Sequence, residues 1–136
     1  MPDCCLNEGL LRSLRSLECT PVKADQHFLN MRRGEECWPY VVVQSQQTSG
    51  LRTSDAVEVI DNVRLVGYFS LDKPEQANQW SDLLRAWLFR SDCIILENCG
   101  CFCLRSAVNI QMTASERGYQ VTATLRGQYS PSEMSS

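Results

Sequence analysis

Between Val57 and Leu71 the chain alternates with period two. Val57, Val59, Asp61, Val63, Leu65, Gly67, Phe69 and Leu71 share one parity, and Glu58, Asn62, Arg64 and Ser70 belong to the other. Successive side chains of a strand point to opposite faces, so the pattern predicts a half-buried strand. It exceeds the usual strand of about five or six residues, and the Asp61-Asn62 pair is where a bend is expected. So long a strand needs neighbours in a sheet and a second layer over its apolar face.

The next segment, "SLDKPEQANQWSDLLRAWLFRS", supplies that layer. Asp72 or Ser70 is the expected cap, Pro74 falls in the first turn, and Glu75 suits the positive end of the helix dipole. Ala77, Trp80, Leu83, Leu84, Trp87 and Leu88 form one apolar stripe. The two tryptophans are read as packing residues rather than a ligand platform. A hairpin signal lies further on: Tyr119, Val121, Ala123, Leu125 and Tyr129 alternate with polar residues after the turn "ASERG".

An earlier segment, "NEGLLRSLRSLEC", repeats leucine at helical spacing through Leu6, Leu10, Leu11, Leu14 and Leu17, with Asn7 as the expected N-cap and Pro21 as the stop. Residues 22 to 37 read as irregular, and "WPYVVVQSQQ" as a strand after Pro39. "CIILE" and a strand from Cys101 to Met112 complete the set. The expected fold class is α+β, a mostly antiparallel sheet packed by two helices in the order α-β-β-α-β-β-β. Residues 1–129 are expected to make one domain, with 130–136 a polar tail.

"NCGCFC" is the stretch most suggestive of chemistry. On a strand, Phe102, Leu104, Val108, Ile110 and Met112 share one face, and Cys101 and Cys103 the other, with Cys99 of the same parity. Residues two apart on a strand are about 6.6 Å apart, from a rise of about 3.3 Å each. Two thiolates on one zinc must approach within roughly 4 Å, and a disulfide demands closer Cβ atoms still. There is no CxxC, and His27 is the single histidine. The cysteines are therefore read as reduced, buried or half-buried small apolar residues. A metal or thiol site built on Cys99, Cys101 and Cys103 is the alternative.

Other chemistry has less support. GxGxxG and GxxxxGK[ST] are both missing, and no two carboxylates pair as an acid–base couple. With eight cysteines, a Cys–His27 nucleophile pair carries almost no information. A net charge of −3 provides no field for nucleic acid or an anionic membrane. All the basic residues except Lys23 and Lys73 are arginine, whose planar fork suits protein interfaces. The longest apolar runs, such as "YVVV" and "CIIL", are four residues, far short of a membrane span. The start of the chain lacks a basic region followed by an apolar one, so a secretory signal is not expected and the compartment is taken as cytosolic.

The succession "LLRSLRSLECTPVK", "WPYVVVQSQQ", "VEVIDNVRLVGYFSLDKPEQANQWSDLLRAWL" and "VTATLRGQY" resembles the tail-terminator and tail-completion proteins of tailed bacteriophages and prophages. The resemblance spans about residues 7 to 129 and rests on segment order and texture, with "PYVVV" as its local motif. It implies a non-enzymatic virion protein with no catalytic residues and no cofactor. Such a protein forms a ring, typically of six copies, that caps the tail tube and meets the head connector. Its expected partners are itself, the tail tube and the connector, with no specific nucleic acid and no membrane. Its expected location is the virion tail, after assembly in the bacterial host cytoplasm. The protruding polar stretches "MRRGEEC", "TSGLRTSD" and "ASERG" then put Arg32, Arg33, Arg52, Glu116 and Arg117 at subunit or partner contacts. A generic α+β interaction module is the remaining alternative.

Overall fold

A computed structural model describes residues 2–29, 38–46, 58–90, 93–96, 100–104 and 108–130. Helix α1 (Pro2–Arg15) is followed by a 3-10 turn (Ala24–Gln26), β1 (His27–Leu29), β2 (Tyr40–Gln46) and β3 (Glu58–Ser70). Helix α2 (Pro74–Arg90), β4 (Cys93–Leu96), β5 (Gly100–Leu104), β6 (Asn109–Ala114) and β7 (Gly118–Ser130) come next. The fold is α+β.

The strands form one sheet in the order β1-β2-β3-β7-β5-β4, with β6 also paired to β7. This sheet is mixed, not the mostly antiparallel one expected: β1 runs parallel to β2, while the pairs β2·β3, β3·β7, β5·β7, β6·β7 and β4·β5 are antiparallel. The parallel pair arises inside the stretch read as irregular, where His27 registers with Val41 and Leu29 with Val43. The element order changes accordingly. One strand is added before β2, and the single strand expected from Cys101 to Met112 is two, β5 and β6. Both lie along the same edge of β7: β6 opposite residues 119–124, β5 opposite 127–130.

Strand β3 matches its alternation. Val63, Leu65 and Phe69 are buried in the main core, and Val66 and Tyr68 in a smaller cluster on the other face. Its pairing with β7 shifts between Ile60 and Val63, so Asp61 and Asn62 together oppose Arg126. That is a bulge, at the bend the sequence suggested.

Leu6, Leu10, Leu11 and Leu14 of α1 and Ala77, Trp80, Leu84 and Leu88 of α2 are buried against Val41, Val43, Val121, Ala123, Leu125 and Phe102. Helix α1 touches β1 and β2 and also β4, although these lie at opposite ends of the strand order. The sheet therefore curls around α1, while α2 covers β3, β6 and β7. Asn7 does not cap α1. The helix begins at Pro2, a favoured first-turn residue, and Asn7 is buried within it. At α2 the Ser70 hydroxyl accepts from the Asp72 amide at 3.2 Å, in the turn just before the helix.

On the face away from the helices, Tyr40 and Tyr68 stack with ring centroids 4.7 Å apart, flanked by Trp38 at 6.2 Å from Tyr68 and Phe28 at 6.0 Å from Tyr40. Tyr40 and Tyr68 are direct register partners, so this cluster is the cross-strand pairing of β2 and β3 expressed in side chains.

Candidate functional site

The cysteine stretch folds as an edge hairpin. β4 and β5 pair Leu96 with Gly100, Ile95 with Cys101, Ile94 with Phe102 and Cys93 with Cys103. Gly100 has a φ of 97°, a left-handed conformation that glycine adopts freely where the chain enters β5. Phe102 points into the core, and Cys101 and Cys103 lie on the half-buried opposite face, as parity required.

Their chemistry differs from the expectation. Cys93 and Cys103 form a disulfide with their Cα atoms 3.9 Å apart, so they are not reduced apolar packing residues. Neighbours along one strand are indeed too distant to bond, and the partner of Cys103 lies on the facing strand instead. A signal was present. A hairpin that pairs Leu96 with Gly100 necessarily sets Cys93 opposite Cys103, because each pair has the same sum of residue numbers. Cys101 is a half-buried free thiol and Cys19 an exposed one; Cys99 lies outside the described residues. Among the described residues no group of three or more His, Cys, Asp and Glu side chains is placed to hold a metal. The proposed ligand trio is thus divided between a disulfide, a thiol and a position not described.

His27 is 2% exposed and belongs to the fold. Its Nδ1 lies 3.2 Å from the Ala24 carbonyl oxygen, which can only accept, so Nδ1 carries the proton. Nε2 is buried without a hydrogen-bond partner among the described residues. Burial holds the ring below the usual histidine range; backbone carbonyls of Ala24 and Lys23 oppose that, and the charge of Arg15 adds to it. Above about pH 6.5 the ring is neutral in both folded and unfolded chains. Below it the unfolded chain takes a proton that the folded one resists, so stability falls with acidification until the lowered folded value is passed. Urea midpoints between pH 7.5 and 5.5 should fall, with a slope of at most about 1.4 kcal/mol per pH unit from this group. His27→Gln should flatten that slope; an unchanged slope would assign it elsewhere.

The remaining sequence candidates are split. Arg32, Arg33 and Arg52 lie outside the described residues. Glu116 and Arg117 form the exposed tip of the β6–β7 hairpin, where the Ser115 hydroxyl accepts from the amides of Arg117 at 3.2 Å and Gly118 at 3.4 Å. The tip adjoins β6, whose outer edge has no strand partner among the described residues, and β4 likewise ends the sheet. Ile95 on β4 is 81% exposed and Met112 on β6 is 40% exposed. Ile95 was not distinguished in the sequence, and Met112, placed there on the apolar face with Phe102, is instead exposed. Their exposure depends on which strands end the sheet, and alternation within one strand carries no information about that.

Two cavities accompany these features. One, of about 330 Å³, lies between the helices and β4 and is lined by Ser13, Ser16, Leu17, Trp87 and residues 93–95. The other, of about 420 Å³, lies among Lys23, Asp25, Gln26, Trp38, Lys73 and Gln76. Its ionisable lining has both signs, which selects no ligand charge. Among the described residues the geometry presents unpaired strand edges, exposed apolar side chains and a polar hairpin tip. The chain matches no protein-family model, and no curated protein is similar to it in sequence.

Proposed function

We propose that this chain is a non-enzymatic structural protein of a phage or prophage tail, a homo-oligomeric ring that caps the tail tube and joins it to the head connector. The observation that carries the reading is the open-edged sheet. β4 and β6 end in unpaired backbone among the described strands, and the outward side chains there include Ile95 and Met112. A sheet edge of this kind invites pairing with another chain, and a repeated, head-to-tail contact closes into a ring when its rotation permits. The segment order supports the same reading through the resemblance to tail-terminator proteins. In this proposal Arg32, Arg33, Arg52, Glu116 and Arg117 serve the contacts, and assembly takes place in the bacterial host cytoplasm before the protein resides in the virion tail.

Native mass spectrometry of the purified chain tests it. A metal-free ring, or a monomer that forms rings only when tail-tube or connector proteins are added, is the expected result. A monomer carrying stoichiometric zinc, or one that stays monomeric with those components, would overturn it. Arg32→Glu with Arg33→Glu should weaken association at least tenfold while leaving the subunit's unfolding midpoint in place. Cooperative loss of the fold would instead make these arginines structural.

A further inference from the structure

We propose that the Cys93–Cys103 disulfide is a redox latch that fixes the β4 edge of the sheet. The inference rests on the hairpin geometry and stands apart from the assembly reading. β4 is four residues long and pairs with β5 alone among the described strands. Ile94 and Leu96 anchor it to the core, and Cys93 and Ile95 face outward. The bond joins the first residue of β4 to its direct partner on β5, at the end of the ladder farthest from the Leu96–Gly100 pair. A short edge strand frays from its open end, and a covalent link there reinforces the register that the β5 ladder and two inward side chains otherwise keep.

The latch is reachable, because Cys93 is exposed. A dithiol reductant opens it in balanced steps. A thiolate attacks the Cys93 sulfur, forming a mixed disulfide, and Cys103 leaves as a thiolate that takes up a proton. The reductant's second thiolate then closes on the mixed disulfide, releases the Cys93 thiolate to be protonated, and leaves as a cyclic disulfide. Two electrons pass to the protein, and oxidation by a disulfide of the same class reverses the process. Cys101 does not compete along the strand, since it stands two residues from Cys103 on the same face. In a reducing compartment the edge is a dithiol and loosely held; on transfer to an oxidising one it locks. The wall that residues 93–95 contribute to the 330 Å³ cavity is the part that responds.

Hydrogen exchange followed by mass spectrometry, on the full chain with and without dithiothreitol, tests the latch. Reduction should speed exchange in the segment 93–104 at least tenfold, with β3 residues 63–70 and β7 residues 118–126 unchanged within twofold. The double variant Cys93→Ser, Cys103→Ser should show the reduced pattern with or without reductant. Alkylation of the native oxidised chain should label Cys101 and leave Cys93 and Cys103 unlabelled. Equal exchange of 93–104 in both redox states would overturn the proposal. So would parallel acceleration of β3 and β7, which would make the bond a staple of the whole fold, or labelling of Cys93 and Cys103 in the oxidised chain.

Discussion

Trp80→Ala is expected to cost about 3–5 kcal/mol of folding stability, read as a lowered urea midpoint with little change in slope. Trp80 is among the largest fully buried side chains, and its ring packs 5.8 Å from that of Phe69, centroid to centroid. The site is shaped for it by Gly67 on β3: a Cβ there would lie 2.8 Å from the indole. Two losses therefore combine, the transfer free energy of the ring and the cavity left over the sheet. The same geometry predicts non-additivity. Gly67→Ala should destabilise the wild-type chain by about 1–3 kcal/mol through overpacking. In the Trp80→Ala background it should cost less, because the indole contact is gone and the Phe69 ring, 2.7 Å from the added Cβ, can shift into the space left. Strictly additive effects would mean that the two residues do not share one packing site.

Gly127→Val should be nearly as damaging, about 3 kcal/mol, seen as a melting temperature lower by roughly 10 °C. Gly127 sits on β7 opposite Leu104, and a Cβ there would run into the carbonyl group of Cys103, with the Phe102 ring at 3.1 Å beyond. A side chain can swing aside, but a backbone carbonyl within a ladder moves only if the ladder opens. The variant should therefore lose the β5–β7 pairing first and keep β3–β7. Circular dichroism melts, with hydrogen exchange over residues 100–104, check both points. A melt within two degrees of wild type would show that the strands have more room than the geometry allows.

Local patterns were legible wherever one element's periodicity decided its burial. The leucines of α1, the Ala77–Leu88 stripe of α2, and the alternation of β3 and β7 all face the core as their spacing required. The inward placement of Phe102 between two outward cysteines was legible for the same reason. Features set by partners distant in sequence were not. β1 is three residues long and exists through its pairing with Val41, Val42 and Val43, so residues 22 to 37 carry no period of their own to announce it. The stretch from Cys101 to Met112 keeps period two except at Ser106 and Ala107, and parity does not show that its halves meet different stretches of β7. Asn7 has the chemistry of a cap, but the helix extends upstream of it to Pro2. The Cys93–Cys103 bond required a cross-strand register, and parity along a single strand does not provide one.

The central position of β7 has a consequence for biosynthesis. Its one edge carries β3, and its other carries β6 and β5, so among the described strands those made first pair with those made later only through it. A nascent chain on the ribosome has β1, β2 and β3 available early, yet β3 keeps one edge unpaired until residues 118–130 have emerged. Translation at about 5–20 residues per second leaves that edge exposed for seconds. A stop codon before residue 118 would remove every strand pairing between the two sides of the sheet and leave only helix packing to hold them. Early termination before residue 118 should thus leave a chain that proteases clear, whereas a β7 substitution such as Gly127→Val leaves a weakened fold.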